Sequence, residues 1–394
     1  SGNYKPLPFA FTRSTSATRV NKEGLIEVVT NDRPRIDYTD TSDGVLLLEK
    51  AATNSLLQSN QFDTTWSATN ATLTSGQIGV GGSTDAWKLE SNSNTSESYL
   101  RQTTSLSGTS SLTIYAKKGN SNFLGVYIGS SGADIAAYFD LNNGIVGTNS
   151  NATETKIESV GNGWYRCTIV GSNINQNVNF YVTDANGNFL SNDGSYIYIQ
   201  YSQLETGVAS SYIPTQGSAT TRVAETASGA GNSEVFSDSE GVLFADIKKH
   251  ENGGSIQTIS LSDGSTNNNI YLSLSSTPNQ INVEVLASGG QANLSSTSTN
   301  QSNQNKFAVK YKQNDFALWI NGFEIDTDNS GNTPVGLNKI NFDFGQGSFD
   351  FYGKTKEIGY YDTILTDLEL ETLTSYKSWT SMVNELNLNI IYNG

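Results

Sequence analysis

FALWINGFEI, residues 316–325, consists of two apolar-rich runs on either side of Asn321-Gly322. Asn-Gly is the strongest short signal for a two-residue β-hairpin turn, because both residues tolerate the positive φ that such a turn requires. The stretch therefore predicts two antiparallel strands, residues 316–320 and 323–325, joined by a tight turn.

The period of two that marks a strand recurs along the chain. Apolar and polar residues alternate in INVEV (281–285), FAVKY (307–311) and INFDF (340–344). Helix signals are scarce by comparison. The best is TDLELETL (366–373), where Thr366 can cap a helix of about two turns. The pattern predicts an all-β protein.

The distribution of strands predicts two β-sandwich (jelly-roll) domains in tandem, preceded by an extended N-terminal arm. The arm covers residues 1–58, the first sandwich 59–212 and the second 232–376. Residues 213–231 have few large apolar side chains and form the predicted linker, and residues 377–394 form a C-terminal tail. The length of 394 residues suits two or three domains.

The composition argues against several functional classes. One cysteine, Cys167, permits no intrachain disulfide and no cysteine zinc site, and one histidine, His250, leaves little room for a Ser-His-Asp triad. The chain has 38 acidic and 23 basic residues and no basic run, which argues against nucleic-acid binding. No apolar run approaches the ~18 residues of a membrane helix, so we expect no membrane insertion.

The net charge of −15 is unevenly placed. Residues 1–50 contain seven basic and seven acidic residues, so the whole excess of acid falls on residues 51–394. Four bases precede the first acid: Lys5, Arg13, Arg19 and Lys22. They belong either to a solvated arm or to an attachment segment that docks on an acidic partner surface.

Tryptophan residues are the first candidates for carbohydrate binding, because a flat ring can stack on the face of a sugar. Trp66 and Trp87 lie in polar stretches, and Trp319 alternates with the apolar residues of 316–320. Each of these three rings is either an exposed binding surface or part of the packing of a sheet.

Asp326 and Asp328 are the candidate metal ligands. They open the stretch DTDNSG (326–331), which matches the beginning of a calcium loop. The position that would close such a loop is Leu337 instead of glutamate. The stretch therefore predicts either a Ca²⁺ site or an ordinary turn, and we expect no other cofactor.

No catalytic constellation can be identified. Glycoside hydrolysis needs two carboxylates roughly 5–10 Å apart, and with 38 acidic residues some pair will satisfy any spacing. A Glu-x-Asp-x-x-Glu run of the kind found in concanavalin-like glucanases is absent from the sequence. We therefore predict a protein that is not an enzyme.

Several motifs resemble those of phage virion structural proteins. FTRSTSATRVNKEGLIE (11–27), with RIDY (35–38), LLLE (46–49) and TNSLL (53–57), resembles a module common at the start of these proteins. Three further motifs resemble the middle domain of the same family: LTIYAKKG (112–119), GNGWYRC (161–167) and YIYIQYSQLE (196–205). That domain looks like a carbohydrate-binding-module jelly roll. The last domain resembles a concanavalin-like (laminin-G type) sandwich, with GVLF (241–244), LWING (318–322) and LTDLEL (365–370).

The resemblance implies a fibre or decoration subunit of a phage, made in the host bacterial cytoplasm and located in the virion. Its partners would be other virion proteins and a host-surface or environmental polysaccharide, bound by the sandwich domains. A homotrimer is compatible with the resemblance, but the sequence contains no coiled-coil heptads. The alternatives are a purely structural decoration protein without a ligand and a polysaccharide depolymerase.

Overall fold

The computed structural model describes residues 8–130, 133–172 and 174–375. Over these residues the chain forms thirty strands and one helix, which confirms the all-β prediction. The described chain separates into two compact units. Unit 1 comprises residues 8–13, 45–49 and 225–375, and unit 2 comprises residues 14–44 and 50–224.

The first fifteen strands are β1 (Ala10–Thr12), β2 (Ala17–Val20), β3 (Ile26–Val29), β4 (Arg35–Asp37), β5 (Val45–Leu48), β6 (Ala52–Asn54), β7 (Ser67–Thr69), β8 (Ala71–Gln77), β9 (Ala86–Ser91), β10 (Tyr99–Thr103), β11 (Thr109–Lys118), β12 (Phe123–Ser130), β13 (Ile135–Asp140), β14 (Ile145–Ser150) and β15 (Glu154–Ser159). The others are β16 (Trp164–Ser172), β17 (Ile174–Thr183), β18 (Tyr196–Thr206), β19 (Thr220–Arg222), β20 (Thr226–Ser228), β21 (Glu240–Lys249), β22 (Gln257–Ser262), β23 (Asn268–Leu274), β24 (Ile281–Ala287), β25 (Gly290–Ser296), β26 (Asn305–Lys312), β27 (Phe316–Ile320), β28 (Phe323–Asp328), β29 (Lys339–Asn341) and β30 (Gly353–Tyr361), followed by helix α1 (Asp367–Thr374).

Unit 2 is a sandwich of two antiparallel sheets. The front sheet has the order β14–β13–β12–β17–β10–β7, and the back sheet has the order β15–β16–β11–β18–β9–β8. Side chains alternate between the two faces of a strand, so every second residue enters the core between the sheets. Leu100 and Phe180 enter from the front sheet, and Leu112 and Ile199 enter from the back sheet.

Strand β16 contributes two buried side chains to the packing of unit 2. Trp164 is completely buried, and Cys167 is 1% exposed, so both contribute to packing. Burial also raises the pKa of the Cys167 thiol, which keeps it protonated and unreactive at neutral pH.

Residues 14–44 and 50–58, predicted as part of an extended arm, are folded into unit 2. Strands β2 and β3 form a hairpin, and β6 pairs with β19. Asn54 is completely buried, and its Nδ2 donates to the carbonyl oxygens of Ser202 and Ile213. Its Oδ1 accepts hydrogen bonds from two backbone amides. The polar side chains of this segment are therefore anchors inside unit 2, whereas the sequence predicts an extended arm.

Unit 1 is a second antiparallel sandwich. One sheet contains β28–β27–β26–β21–β30–β5 in that order, and the other contains β25–β24–β23–β22–β29. Phe307 and Val309 of β26 face Ile270 and Leu272 of β23 in a continuous apolar core. The prediction of two sandwiches is therefore confirmed.

The hairpin and the helix of unit 1 also occur where the sequence predicts them. Strands β27 and β28 pair across Asn321 and Gly322, whose φ angles are +51° and +87°. Helix α1 begins after Thr366, whose hydroxyl accepts from the Glu369 amide while the Glu369 carboxylate accepts from the Thr366 amide. No helix in the described part of the chain has both the length and the apolar character needed to cross a membrane.

The unit boundaries differ from the predicted domain boundaries. Strand β1 pairs with β20 and β5 pairs with β30, which places two short pieces of the predicted arm in unit 1. The predicted linker is divided between residues 224 and 225. Pairing between positions as distant as Thr12 and Thr226, 214 residues apart, leaves no periodic signal in the sequence. Lys5 and the predicted tail, residues 377–394, lie outside the described residues.

Candidate functional site

The outer face of the front sheet in unit 2 carries a cluster of aromatic and polar side chains. The register of β10, β17, β12 and β13 places them in two rows. One row is Tyr99, Tyr181, Gly125 and Tyr138, and the other is Arg101, Asn179 and Tyr127. The tyrosine face, as we call this surface, consists of these residues and Phe189.

Phe189 packs on the centre of the tyrosine face. A Cβ atom at Gly125 would lie 2.9 Å from the Phe189 ring, so the ring reaches the sheet only because residue 125 has no side chain. The ring centroid lies 4.3 Å from that of Tyr181 and 4.8 Å from that of Tyr138. These contacts hold the loop between β17 and β18 against the sheet.

The loop that carries Phe189 is also fixed by hydrogen bonds. Asp184 Oδ2 accepts from the backbone amide of Asn192 at 2.8 Å and from Ser195 Oγ at 2.9 Å. One carboxylate oxygen therefore bridges the two ends of the loop. The aromatic floor of the tyrosine face is consequently well ordered before any ligand binds.

Arg101 is held in one orientation on this face. Its guanidinium carbon lies 4.8 Å from the centroid of the Tyr99 ring, and its Nε donates to Asn179 Oδ1 at 2.9 Å. Asn179 Nδ2 donates in turn to the Tyr181 hydroxyl at 3.3 Å. Among the described residues, the two terminal nitrogens of Arg101 have no hydrogen-bond or ion-pair partner. They remain available to a ligand.

Two carboxylates lie beside the aromatic rings. The Tyr127 hydroxyl donates to Asp134 Oδ2 at 2.5 Å, and this bond, together with burial, raises the pKa of Tyr127. Burial and the nearby charge of Glu97 raise the pKa of Tyr138 and of Tyr181. The raised pKa values keep the phenols of Tyr127, Tyr138 and Tyr181 neutral at physiological pH, beside the cation Arg101 and the carboxylates of Asp134 and Glu97.

The tyrosine face has a buried floor and an accessible rim. Asn179, Tyr181 and Tyr138 are 0%, 4% and 6% exposed, so they support the surface without forming much of it. Tyr99, Arg101 and Tyr127 are half-buried and form the rim. A planar guanidinium beside aromatic rings can donate two parallel hydrogen bonds to adjacent oxygen atoms while the rings contact C–H groups.

The predicted tryptophans lie elsewhere. Trp66 is 7% exposed and packs 5.4 Å from Phe180 on the core side of the front sheet, with its indole N–H donating to the Gln58 carbonyl. Trp319 is 6% exposed beneath α1 and packs with Leu370. Both rings therefore have the surroundings of packed side chains, which is the alternative to a role in binding.

Trp87 lines a concavity. It is 9% exposed, and its indole N–H donates to the Asn60 carbonyl at 2.8 Å. Trp87 and Trp66 both pack against Phe62, with ring centroids 6.3 and 5.4 Å from it. Trp87 also forms part of the wall of a cavity of about 760 Å³ in unit 2. Its role in binding stays a prediction.

Asp326 and Asp328 are engaged in local hydrogen bonds. Asp326 Oδ2 accepts from the amide of Ser295 at 2.9 Å, and Asp328 Oδ1 accepts from the amide of Ser330 at 2.9 Å. Within residues 8–130, 133–172 and 174–375, no group of three or more His, Cys, Asp or Glu side chains could hold a metal ion. Calcium binding at this stretch stays a prediction.

The predicted attachment bases have different surroundings. Arg13 is completely buried and forms an ion pair of 2.5 Å with Glu225, so its charge is neutralised inside unit 1 and does not reach a partner surface. Arg19 pairs with Glu27 at 2.5 Å on the β2–β3 hairpin. Lys22 is exposed in the turn of that hairpin. Docking through these bases stays a prediction.

None of the residues of the tyrosine face is among the site residues predicted from the sequence. In the stretch YLRQT, residues 99–103, Tyr99 and Arg101 flank the apolar Leu100, and this spacing indicates an outward row of Tyr99 and Arg101. Asn179 and Tyr181 have the same spacing. Tyrosine rings, and not the predicted tryptophans, form the aromatic surface on this face of the sheet.

The chain was compared with family models, curated proteins and solved structures. No family model and no curated protein matches the sequence. Among solved structures, the CBM40 module of the Ruminococcus gnavus IT-sialidase bound to α2,3-sialyllactose is similar, with 18% identity, a TM-score of 0.32 and coverage of 38% of this chain and 94% of that one. A second structure of that module has 18% identity, a TM-score of 0.31 and the same coverage, 38% and 94%.

The LG1–3 region of the laminin α2 chain has 13% identity and a TM-score of 0.19, and the match covers 86% of this chain and 67% of that one. None of these three structures is described as a virion protein. Similarity at this level carries no argument about the ligand of this chain.

Proposed function

We propose that this protein binds carbohydrate without catalysis, and that the tyrosine face of unit 2 is the binding surface. The observation that carries the proposal is the state of Arg101, which is held against Tyr99 by Asn179 with both terminal nitrogens unpartnered. A guanidinium fixed in this way loses little side-chain entropy when it binds, so more of the contact energy appears as affinity.

The chemistry of the rim suits a sugar ring. The half-buried rings of Tyr99 and Tyr127 can contact its C–H groups, while Arg101 donates two hydrogen bonds to adjacent oxygen atoms. Asp134, whose Oδ2 accepts from the Tyr127 hydroxyl, can also accept from a sugar hydroxyl. The adjacent oxygens can belong to a pair of neighbouring hydroxyls or to the carboxylate of an acidic sugar, since both present two acceptor oxygens side by side to the guanidinium.

Binding of the full chain to uncharged and to acidic polysaccharides, measured by titration calorimetry at low and high salt, tests the proposal. We expect Arg101→Ala and Tyr99→Ala each to weaken binding at least tenfold, and Arg101→Lys to weaken it because lysine lacks the planar fork. Lys156→Ala is the matched control, since Lys156 is an exposed base of β15 in the back sheet. Preference for acidic chains that weakens with salt would identify a carboxylate ligand.

The same titrations separate the alternatives. A wild-type chain that binds no polysaccharide would overturn the proposal in favour of a purely structural protein. Release of reducing ends from a bound polysaccharide would overturn its non-catalytic part in favour of a depolymerase. The virion location, virion partners and trimer implied by the resemblance remain proposals, to be tested by the protein content of particles.

A further inference from the structure

The cavity of unit 2 that Trp87 lines shares no residue with the tyrosine face. Its volume is about 760 Å³, within the range of roughly 300–1,000 Å³ typical of ligand sites. Its walls come from β3, residues 58–61, β8, residues 84–87, Tyr201 of β18 and the segment that includes Tyr212 and Thr220. We call it the Tyr201 cavity.

Tyr201 reaches the cavity from a distorted position in the back sheet. Thr113 of β11 pairs with Gln203, whereas Tyr115 pairs with Gln200, so two residues of β18 oppose one residue of β11 in a β-bulge. Tyr201 occupies this bulge with a φ of +49°, a conformation that a bulky residue rarely adopts. Backbone strain of this kind concentrates at binding sites, where the surrounding structure maintains it.

The aromatic wall is fixed by stacking and by hydrogen bonds. The rings of Tyr201 and Tyr212 stack at 4.4 Å with 25° between their planes. The Tyr201 hydroxyl donates to Asp85 Oδ2 at 2.9 Å, while Ser83 and Gln200 donate to Asp85 Oδ1. Tyr201 is half-buried, so part of its ring remains accessible from the cavity.

One acceptor in the wall lacks a donor. Gln58 lines the cavity, and its side-chain oxygen is buried without a hydrogen-bond partner. A buried acceptor in this state costs free energy until a donor reaches it. A ligand hydroxyl group would supply that donor.

The charges of the lining select against anions. Glu27 and Asp85 are the two charged residues of the lining, which contains no lysine, arginine or histidine. Burial raises the pKa of Glu27, but hydrogen bonds from Arg19 and Asn21 outweigh it, so the pKa lies below its ordinary value and the group stays ionised. A carboxylate or phosphate entering the cavity would find no basic side chain in the lining to pair with, since Arg19 beside Glu27 is already engaged in an ion pair.

We propose that the Tyr201 cavity binds an uncharged sugar residue, as a second glycan site on unit 2. The ring of the sugar packs on Tyr201, and one hydroxyl donates to Gln58 Oε1. The inference deepens the proposed function, because it takes the ligand to be a glycan. The cavity differs from the tyrosine face in its selectivity, because both charged side chains of its lining are carboxylates.

Titration calorimetry of the full chain with uncharged oligosaccharides and with their uronic-acid counterparts tests the inference. Gln58→Met removes the unpaired acceptor and keeps the shape of the side chain. We expect this variant to retain or raise the melting temperature while it weakens binding of the uncharged ligand at least tenfold. Tyr201→Asn removes the ring with a residue that tolerates the positive φ, and it should have the same effect on binding.

Arg101→Ala is the reciprocal control, because it disables the tyrosine face and leaves the cavity intact. If both cavity variants bind every uncharged glycan as tightly as the wild type does, the cavity inference is overturned while the tyrosine face stands. If Arg101→Ala removes all binding of uncharged glycans, one site suffices and the inference is again overturned. The inference is supported if each cavity variant loses one binding site for uncharged oligosaccharides while Arg101→Ala retains that site.

Discussion

Arg13 Nη1 and Glu225 Oε1 lie 2.5 Å apart in unit 1, and neither side chain is exposed to solvent. Arg13 follows β1 directly and Glu225 precedes β20, so the ion pair closes one end of the ladder between these strands. The other carboxylate oxygen of Glu225 accepts from the backbone amide of Glu49 at 2.9 Å. One carboxylate therefore joins two segments that are remote from it in sequence.

We expect Arg13→Met to lower the free energy of unfolding by about 3–5 kcal/mol, because the remaining carboxylate stays buried without its partner. The double variant Arg13→Met/Glu225→Gln should recover part of this loss, since it buries no charge and keeps an acceptor for Glu49. Denaturant unfolding of these chains measures the difference. Lys22→Met is the control, as Lys22 is exposed. A double variant no more stable than Arg13→Met would contradict the account.

The buried ammonium group of Lys249 holds together the loops at one end of unit 1. Lys249 is 1% exposed and donates to the carbonyl oxygens of Gly253, of Ser255 at 2.5 Å and of Ser275 at 3.2 Å. Lys249→Met keeps the stem and removes the donors, so we expect a loss of about 2–4 kcal/mol in unfolding free energy. The exposed Lys356→Met provides the comparison. Equal melting temperatures for the two variants would show that these hydrogen bonds contribute nothing.

Local patterns in the sequence predict the strands and the turns of this protein, but they do not predict which strands become neighbours. The hairpin at Asn321-Gly322 and the helix after Thr366 depend on adjacent residues, and both are confirmed. The tyrosine face needs Arg101 beside Asn179, which requires β10 to pair with β17 across 78 residues. Alternation indicates that each residue points outwards, and only the register brings the two together.

The pKa of Glu205 gives unit 2 a specific pH dependence. Burial raises this pKa above its ordinary value of 4.5, more than the hydrogen bonds from Ser210 and Gln203 lower it. The folded chain therefore binds this proton more tightly than the unfolded chain, and ionised Glu205 costs stability at neutral pH. That cost disappears as the pH falls through the folded pKa towards the ordinary value.

We expect Glu205→Gln to be more stable, relative to the wild type, at about pH 8 than at about pH 4, because the glutamine carries no charge at either pH. Urea unfolding of both chains across this range isolates the contribution of Glu205, since other groups titrate equally in the two. A stability difference that does not change with pH would contradict the raised pKa.

Asn179 acts on the tyrosine face as a positioning residue. It is completely buried, and its amide oxygen accepts from Arg101 Nε at 2.9 Å. Asn179→Ala releases the guanidinium, which must then be ordered by the ligand, so we expect glycan affinity to fall about three- to tenfold. Asn179→Asp keeps the acceptor but adds a negative charge beside Arg101. This variant should retain affinity for uncharged glycans and lose affinity for acidic ones. Calorimetry with both glycan classes, alongside melting temperatures, measures the effects, and an equal loss for both classes in Asn179→Asp would show that Asn179 supports only the stability of the sheet.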